Sequence, residues 1–235
     1  MRANLLVMVL LGCLLPAAAG SSENPTASVP SPASDLLGRP EPFVRPRLRL
    51  VWFDPTSAAS FAYAGMAQEV QSILGAASVD VVWDKRTAGP VAGGEMAVIV
   101  LNAERARVAL RPHVMGCVIK GDGRSALWVN LTTVARMLGL DARSRIAWSG
   151  RERQQVATAL GRVIAHEVVH AVAPQLPHAT RGLLSATLNR YQLVHERPLL
   201  DGDSVDGFLQ GIRLRDTTVP ADGPALVLVS APPSP

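Results

Sequence analysis

Apolar and polar positions alternate where the ordered part of the chain is expected to begin. Leu48, Leu50 and Trp52 fall between Arg47, Arg49 and Val51, a period of two that predicts a β-strand. From Phe61 to Ala77 the period lengthens. Met66, Val70, Ile73 and Leu74 recur at helical spacing and share one face. Val79 to Trp83 reads as a second strand, and Met96 to Leu101 is an unbroken apolar run of strand length, the pattern of a strand buried on both faces. Val114 to Lys120 and Ser125 to Val129 flank Gly121-Asp122-Gly123, which predicts a hairpin with glycines at its turn. Leu131 to Leu140 reads as a short helix.

A long helix follows. Ser149 and Glu152 have the spacing of a capping box at its start. Val156, Leu160, Val163, Ile164 and Val168 form its apolar stripe. Pro174 lacks an amide proton and clashes with the preceding turn, so the helix must stop near Ala173. Gly182-Leu183-Leu184 predicts a turn. Thr187 to Glu196 and Ser204 to Arg213 have helical spacing. Thr217 to Pro235 reads as a loose tail, in which Ala225 to Val229 has the composition of a short strand. Strands interspersed with helices in this order predict an α/β (α+β) domain.

Composition adds a segmented plan. The chain has 235 residues and a net charge of +4, enough for one domain with tails. Its arginines are scattered, with no dense basic run or aromatic platform, which argues against nucleic-acid binding. Residues 1–19 combine Arg2, an apolar run from Leu5 to Leu15 and Ala17-Ala18-Ala19, the pattern of a signal peptide, so a secreted or periplasmic location is expected. Leu10-Leu11-Gly12-Cys13 is the lipobox alternative, which would place a lipid on Cys13. No stretch is long enough for a transmembrane segment. Residues 20–46 are rich in Ser, Pro and Ala and read as a linker. Residues 47–215 are then the domain, and 216–235 the tail. Once Cys13 leaves with the signal, Cys117 stands alone in an apolar run and reads as a buried small hydrophobe.

The candidate chemistry lies on the long helix, in His166-Glu167-Val168-Val169-His170. Residues i and i+4 project from one side of a helix, so both imidazoles can reach one ion. Catalytic zinc takes three protein ligands and keeps one position for water. His166 and His170 supply two, and Glu167 is the expected general base. For the third ligand, His178 follows at a distance that a sharp turn through Pro174 to Pro177 could close. Glu196 is the alternative, in the manner of thermolysin-like enzymes. Asp201 and Asp203 read rather as an acidic N-cap and loop. His113 and His195 have no partner spacing.

This stretch, H-E-V-V-H-A-V-A-P-Q-L-P-H-A-T-R-G-L-L from His166 to Leu184, resembles the metzincin clan of zinc peptidases. More narrowly, it resembles a group of secreted bacterial metzincin-like proteins. Their pattern runs A-H-E-x-x-H-x-x-x-G, a further histidine three or four residues on, then G-[IL]-M. Ala77-Ser78-Val79-Asp80-Val81-Val82-Trp83 is similar to that group too. The resemblance covers about residues 47–215 and is specific in the motif region. It implies a twisted mixed sheet over an active-site helix, with a small C-terminal part below the cleft. It also implies His166, His170 and His178 as zinc ligands and Glu167 as base. Two positions depart from it. Ala173 or Pro174 stands where the group has the glycine that turns the chain, so a turn here must take another backbone path. Leu184 stands at the methionine position, a near volume-conserving exchange.

Metzincin-like sheets lay an edge strand alongside the substrate, and Ser125 to Val129 is the candidate for that edge, or else an ordinary hairpin arm with Trp128 in the core. Tyr191 is a candidate to assist the oxyanion, or a packing residue. The expected function is therefore hydrolysis of peptide or protein substrates by a zinc-activated water. A zinc-binding or interaction domain without activity is the alternative.

Overall fold

The first strand, β1 (Arg47–Phe53), is buried on both faces from Leu50 onward because layers cover the sheet on either side. In a computed structural model of the chain, residues 44–102, 113–121, 124–218 and 226–228 are described. The expected signal peptide, Cys13, most of the linker, the hairpin turn at Asp122-Gly123 and most of the tail lie outside them.

Five strands form the main sheet, in the order β2 (Asp80–Arg86), β1, β4 (Glu95–Leu101), β6 (Arg124–Asn130), β5 (Gly116–Gly121). β1 runs parallel to β2 and β4, and β4 runs parallel to β6. β5 alone is antiparallel, paired with β6 through the hairpin. This corrects the expected edge: β6 is flanked on both sides, so Ser125 to Val129 is interior and β5 is the edge. The reason is that β6 takes the parallel place beside β4, which leaves the first arm of the hairpin outside it. Trp128 packs beside Leu101, Val114 and Cys117.

On one face, Leu48, Leu50, Trp52, Met96, Val98, Leu127 and Val129 form the main core with α1 (Tyr63–Ala76) and α3 (Gly150–Val172). The face of α1 read from its spacing, Met66, Val70, Ile73 and Leu74, is the buried one. On the other face, Val51, Phe53, Ala97 and Ala126 are covered by Val91 and Leu226. These two residues belong to a small antiparallel pair, β3 (Gly89–Val91) with β7 (Leu226–Leu228). Arg86 ties this arm down, donating to the Glu95 carboxylate at 2.9 Å and to the Pro90 carbonyl at 2.7 Å.

The short helix α2 (Leu131–Met137) starts on Asn130, whose side chain accepts from the Thr133 amide. At the head of α3 the Ser149–Glu152 capping box is present in both directions. The expected helix from Thr187 to Glu196 is shorter, α4 (Arg190–Val194), because Asn189 and Gln192 cap it late. The last helix is longer than expected, α5 (Gly202–Thr218), and sends Phe208 and Ile212 into the core. The result is a mixed sheet on a long helix with a small helical C-terminal part. No helix among the described residues is long and apolar enough to cross a membrane.

One buried ion pair locks the helical layer. Arg162 of α3 donates to Glu69 of α1 at 2.8 Å and to the Gln192 carbonyl of α4 at 2.6 Å. Losing the carboxylate leaves a buried guanidinium without its counter-charge. Glu69→Ala is expected to lower unfolding free energy by about 2–3 kcal/mol, somewhat below a fully buried pair because Glu69 is partly exposed. The paired exchange Glu69→Leu with Arg162→Met should recover most of that loss. Urea denaturation of the three proteins checks both statements.

Candidate metal centre

Helix α3 carries His166 and His170 one turn apart, with ring centroids 4.7 Å from each other. The helix ends at Val172, with Ala173 as C-cap and its amide donating to the Val169 carbonyl. The Leu176 amide then donates back to the Ala173 carbonyl at 3.0 Å. This is a β-turn with Pro174 at its second position, where the fixed φ of proline is favoured. No residue from Ala173 to Pro177 has a positive φ. The chain therefore reverses without the left-handed angle that a glycine would supply.

That turn returns His178 to the pair. Its ring lies 4.7 Å from that of His170 and 5.4 Å from that of His166. One ligand nitrogen from each of the three lies within 4.8 Å of the others, the one such group among the described residues. Exposure is graded across the cluster. His166 is buried, His170 half-buried and His178 exposed, so the group opens to solvent on the His178 side.

The loop after His178 holds the arrangement. The His166 Nδ1 lies 2.7 Å from the Leu183 carbonyl oxygen. A carbonyl only accepts, so Nδ1 carries the proton and Nε2 keeps its lone pair free for an ion. The Ala179 amide donates to the Leu184 carbonyl at 2.8 Å, closing the loop beside His178. Leu183 and Leu184 are both buried in the main core, so the leucine at the methionine position serves as an anchor. Gly182 turns the loop at φ +73°, and a Cβ there would stand 2.8 Å from the Leu199 carbonyl oxygen.

The electrostatics fit a cation ligand set. Burial pushes His170 down to about 4, helped by His166 and His178. Burial also lowers His166, with His178 adding to it and the Leu183 bond opposing it. Both are therefore neutral near pH 7, the form that binds metal. The His170 Nε2 is buried without a hydrogen-bond partner, a costly state for a lone pair unless a cation meets it. Burial pushes the Glu167 carboxyl up to about 7. Cys117 is driven up to about 11 by burial and then by the charge of Glu167, so it stays a thiol.

The other candidates lie elsewhere. Glu196 is not in the cluster. Its amide donates to the Tyr191 carbonyl beyond α4. Asp201 accepts from the Ser204 amide at 2.8 Å, the capping role read from the sequence, whereas Asp203, expected in the loop, sits in the first turn of α5. His113 and His195 are exposed. Tyr191 is 64% exposed, its ring 5.6 Å from that of His195. The Leu183 carbonyl was not read from the sequence, because a backbone acceptor has no side-chain signature. The chain matches no family model and none of the curated proteins.

Gly182→Ala strains the loop that carries both His178 and the Leu183 carbonyl. It is expected to weaken metal binding at the three histidines by roughly 10–100-fold, the range for a lost outer partner of a ligand, and His170→Ala to weaken it further. Competition against a chromophoric chelator measures both.

Proposed function

We propose that the protein is a zinc-dependent peptidase of metzincin-like kind. The observation that carries this reading is the return of His178 to His166 and His170, with Glu167 on the same helix turn. Three imidazoles match the ligand number of a catalytic zinc site, and the exposed His178 side matches its open position. Zinc held there supplies Lewis acidity and lowers the pKa of a water toward neutral.

The chain's own residues supply the rest. His166, held by the Leu183 carbonyl, presents Nε2, and His170 presents its unpartnered Nε2. Glu167, pushed up to about 7 by burial, is suited to take a proton near neutral pH and deliver it to the leaving amine. The edge strand offers a place for an extended substrate. Met115 accepts from the Asn130 amide across the β5–β6 pair, so by strand alternation Gly116 and Val118 turn their backbone groups to the open edge. A peptide would add there as a further strand. A mixed sheet with a lone antiparallel edge, over a helix bearing the histidines, accords with the metzincin resemblance. The signal-like residues 1–19 support a secreted or periplasmic setting.

Elemental analysis should find one zinc per chain, and a chelator should lower the melting temperature, since a ligand bound only to the folded state stabilises it. The protein should cleave casein or members of a peptide library. Glu167→Ala should keep the zinc and lose cleavage by on the order of a hundredfold or more. Bound zinc with no Glu167-dependent cleavage would instead assign the chain as a zinc-binding module.

A further inference from the structure

β5 begins with a glycine at the point where it crosses α3. A Cβ on Gly116 would stand 2.8 Å from Glu167 Cγ, 2.9 Å from Glu167 Oε1 and 2.8 Å from Val163 Cγ1. These separations are shorter than carbon contacts allow. The edge-strand backbone therefore lies directly on the Glu167 side chain, and a bare Cα permits it. A glycine inside a strand commonly marks such a close approach.

Two of the three conflicting atoms belong to Glu167, and one is a carboxylate oxygen. Val163 is buried in the main core and has little room to yield. The Glu167 carboxylate, at the end of a longer side chain, is the group that a larger residue at position 116 would displace. Both Glu167 and Val163 are on α3, four residues apart, so Gly116 rests on the helix face that these two side chains share. The backbone of Gly116 meanwhile faces the open edge of the sheet.

We propose that Gly116 is a positioning residue for Glu167. By lacking a Cβ it lets β5 close over the carboxylate and hold it in one place beside the histidines, under the edge where a substrate would pair. The role in catalysis rests on the peptidase reading, whereas the contact itself does not.

The test uses the zinc-loaded full chain with Gly116→Ala, Glu167→Ala and the two combined. Gly116→Ala should lower the urea midpoint of the wild type, and lower it clearly less when Glu167 is already alanine. Equal losses in both backgrounds would overturn the proposal. Crystal structures should show the Glu167 carboxylate displaced from β5 with the three imidazoles in place; an unmoved carboxylate also overturns it. Gly116→Ala should bind zinc as the wild type does, yet lose cleavage on the order of a hundredfold, mostly in kcat, as for a misplaced reacting group. Wild-type cleavage by a folded Gly116→Ala would overturn it too. If Val163 is what unfolds Gly116→Ala, adding Val163→Ala relieves that contact alone and should restore the fold without restoring cleavage. A wild type that cleaves nothing sinks the peptidase reading, while the midpoints and crystal structures still decide the role of Gly116.

Discussion

The hydrogen bond from His166 Nδ1 to the Leu183 carbonyl, at 2.7 Å, governs the rest of the site. It joins two parts of the chain that each need the other. On the helix side it fixes the tautomer and the ring plane of His166, so that Nε2 faces the other two imidazoles. On the loop side it pins the segment that begins at His178. The same segment is closed by the Ala179 amide on the Leu184 carbonyl and anchored by two buried leucines. One neutral hydrogen bond is worth only about 1 kcal/mol net. Its weight here is geometric, because it aligns two ligands with a single contact.

Desolvation is the second organising influence, and it acts on both signs of charge. Burial lowers His166 and His170, and it raises Glu167. The common cause is that a low-dielectric setting disfavours the charged form of any group. The imidazoles thus hold lone pairs rather than protons near pH 7, and the carboxyl sits where it can exchange a proton. Helix α3 makes this possible by being buried along most of its length beyond its exposed first turn, with Glu167 and His170 half-buried. Its capping box starts it, its apolar stripe beds it against the sheet, and the Arg162 clamp holds its middle.

Local patterns in the sequence carried much of this. The period of two at Leu48 to Trp52, the period of a helix at Met66 to Leu74 and the Ser149–Glu152 cap each arise from neighbours in the chain. Elements set by distant contacts were harder to read. β3 is three residues containing Gly89 and Pro90, and it exists because Leu226 to Leu228 pair with it. The sequence offers β6 as a candidate edge because a hairpin signal does not say which arm meets the sheet. Strand order depends on which arm finds β4, and that is a tertiary matter. For the same reason nothing near Gly116 announces its contact with Glu167, which lies fifty-one positions away in the sequence.

The return of His178 shows what kind of constraint the motif expresses. The metzincin pattern has a glycine after the helix, and this chain has Ala173 and Pro174. Read residue by residue, that exchange removes the angle on which the turn depends. The structure turns without that angle, through a proline-led β-turn, and the histidine keeps the spacing of the pattern. What must be preserved is the place of an imidazole relative to two others, within a few ångströms. The backbone angles that deliver it are free to vary, provided the loop beyond is anchored well enough to hold the end point. Here the anchoring comes from Leu183, Leu184 and the left-handed Gly182. Of the two glycines in that pattern, the one before the third histidine is dispensable here, and the one after it, Gly182, is kept.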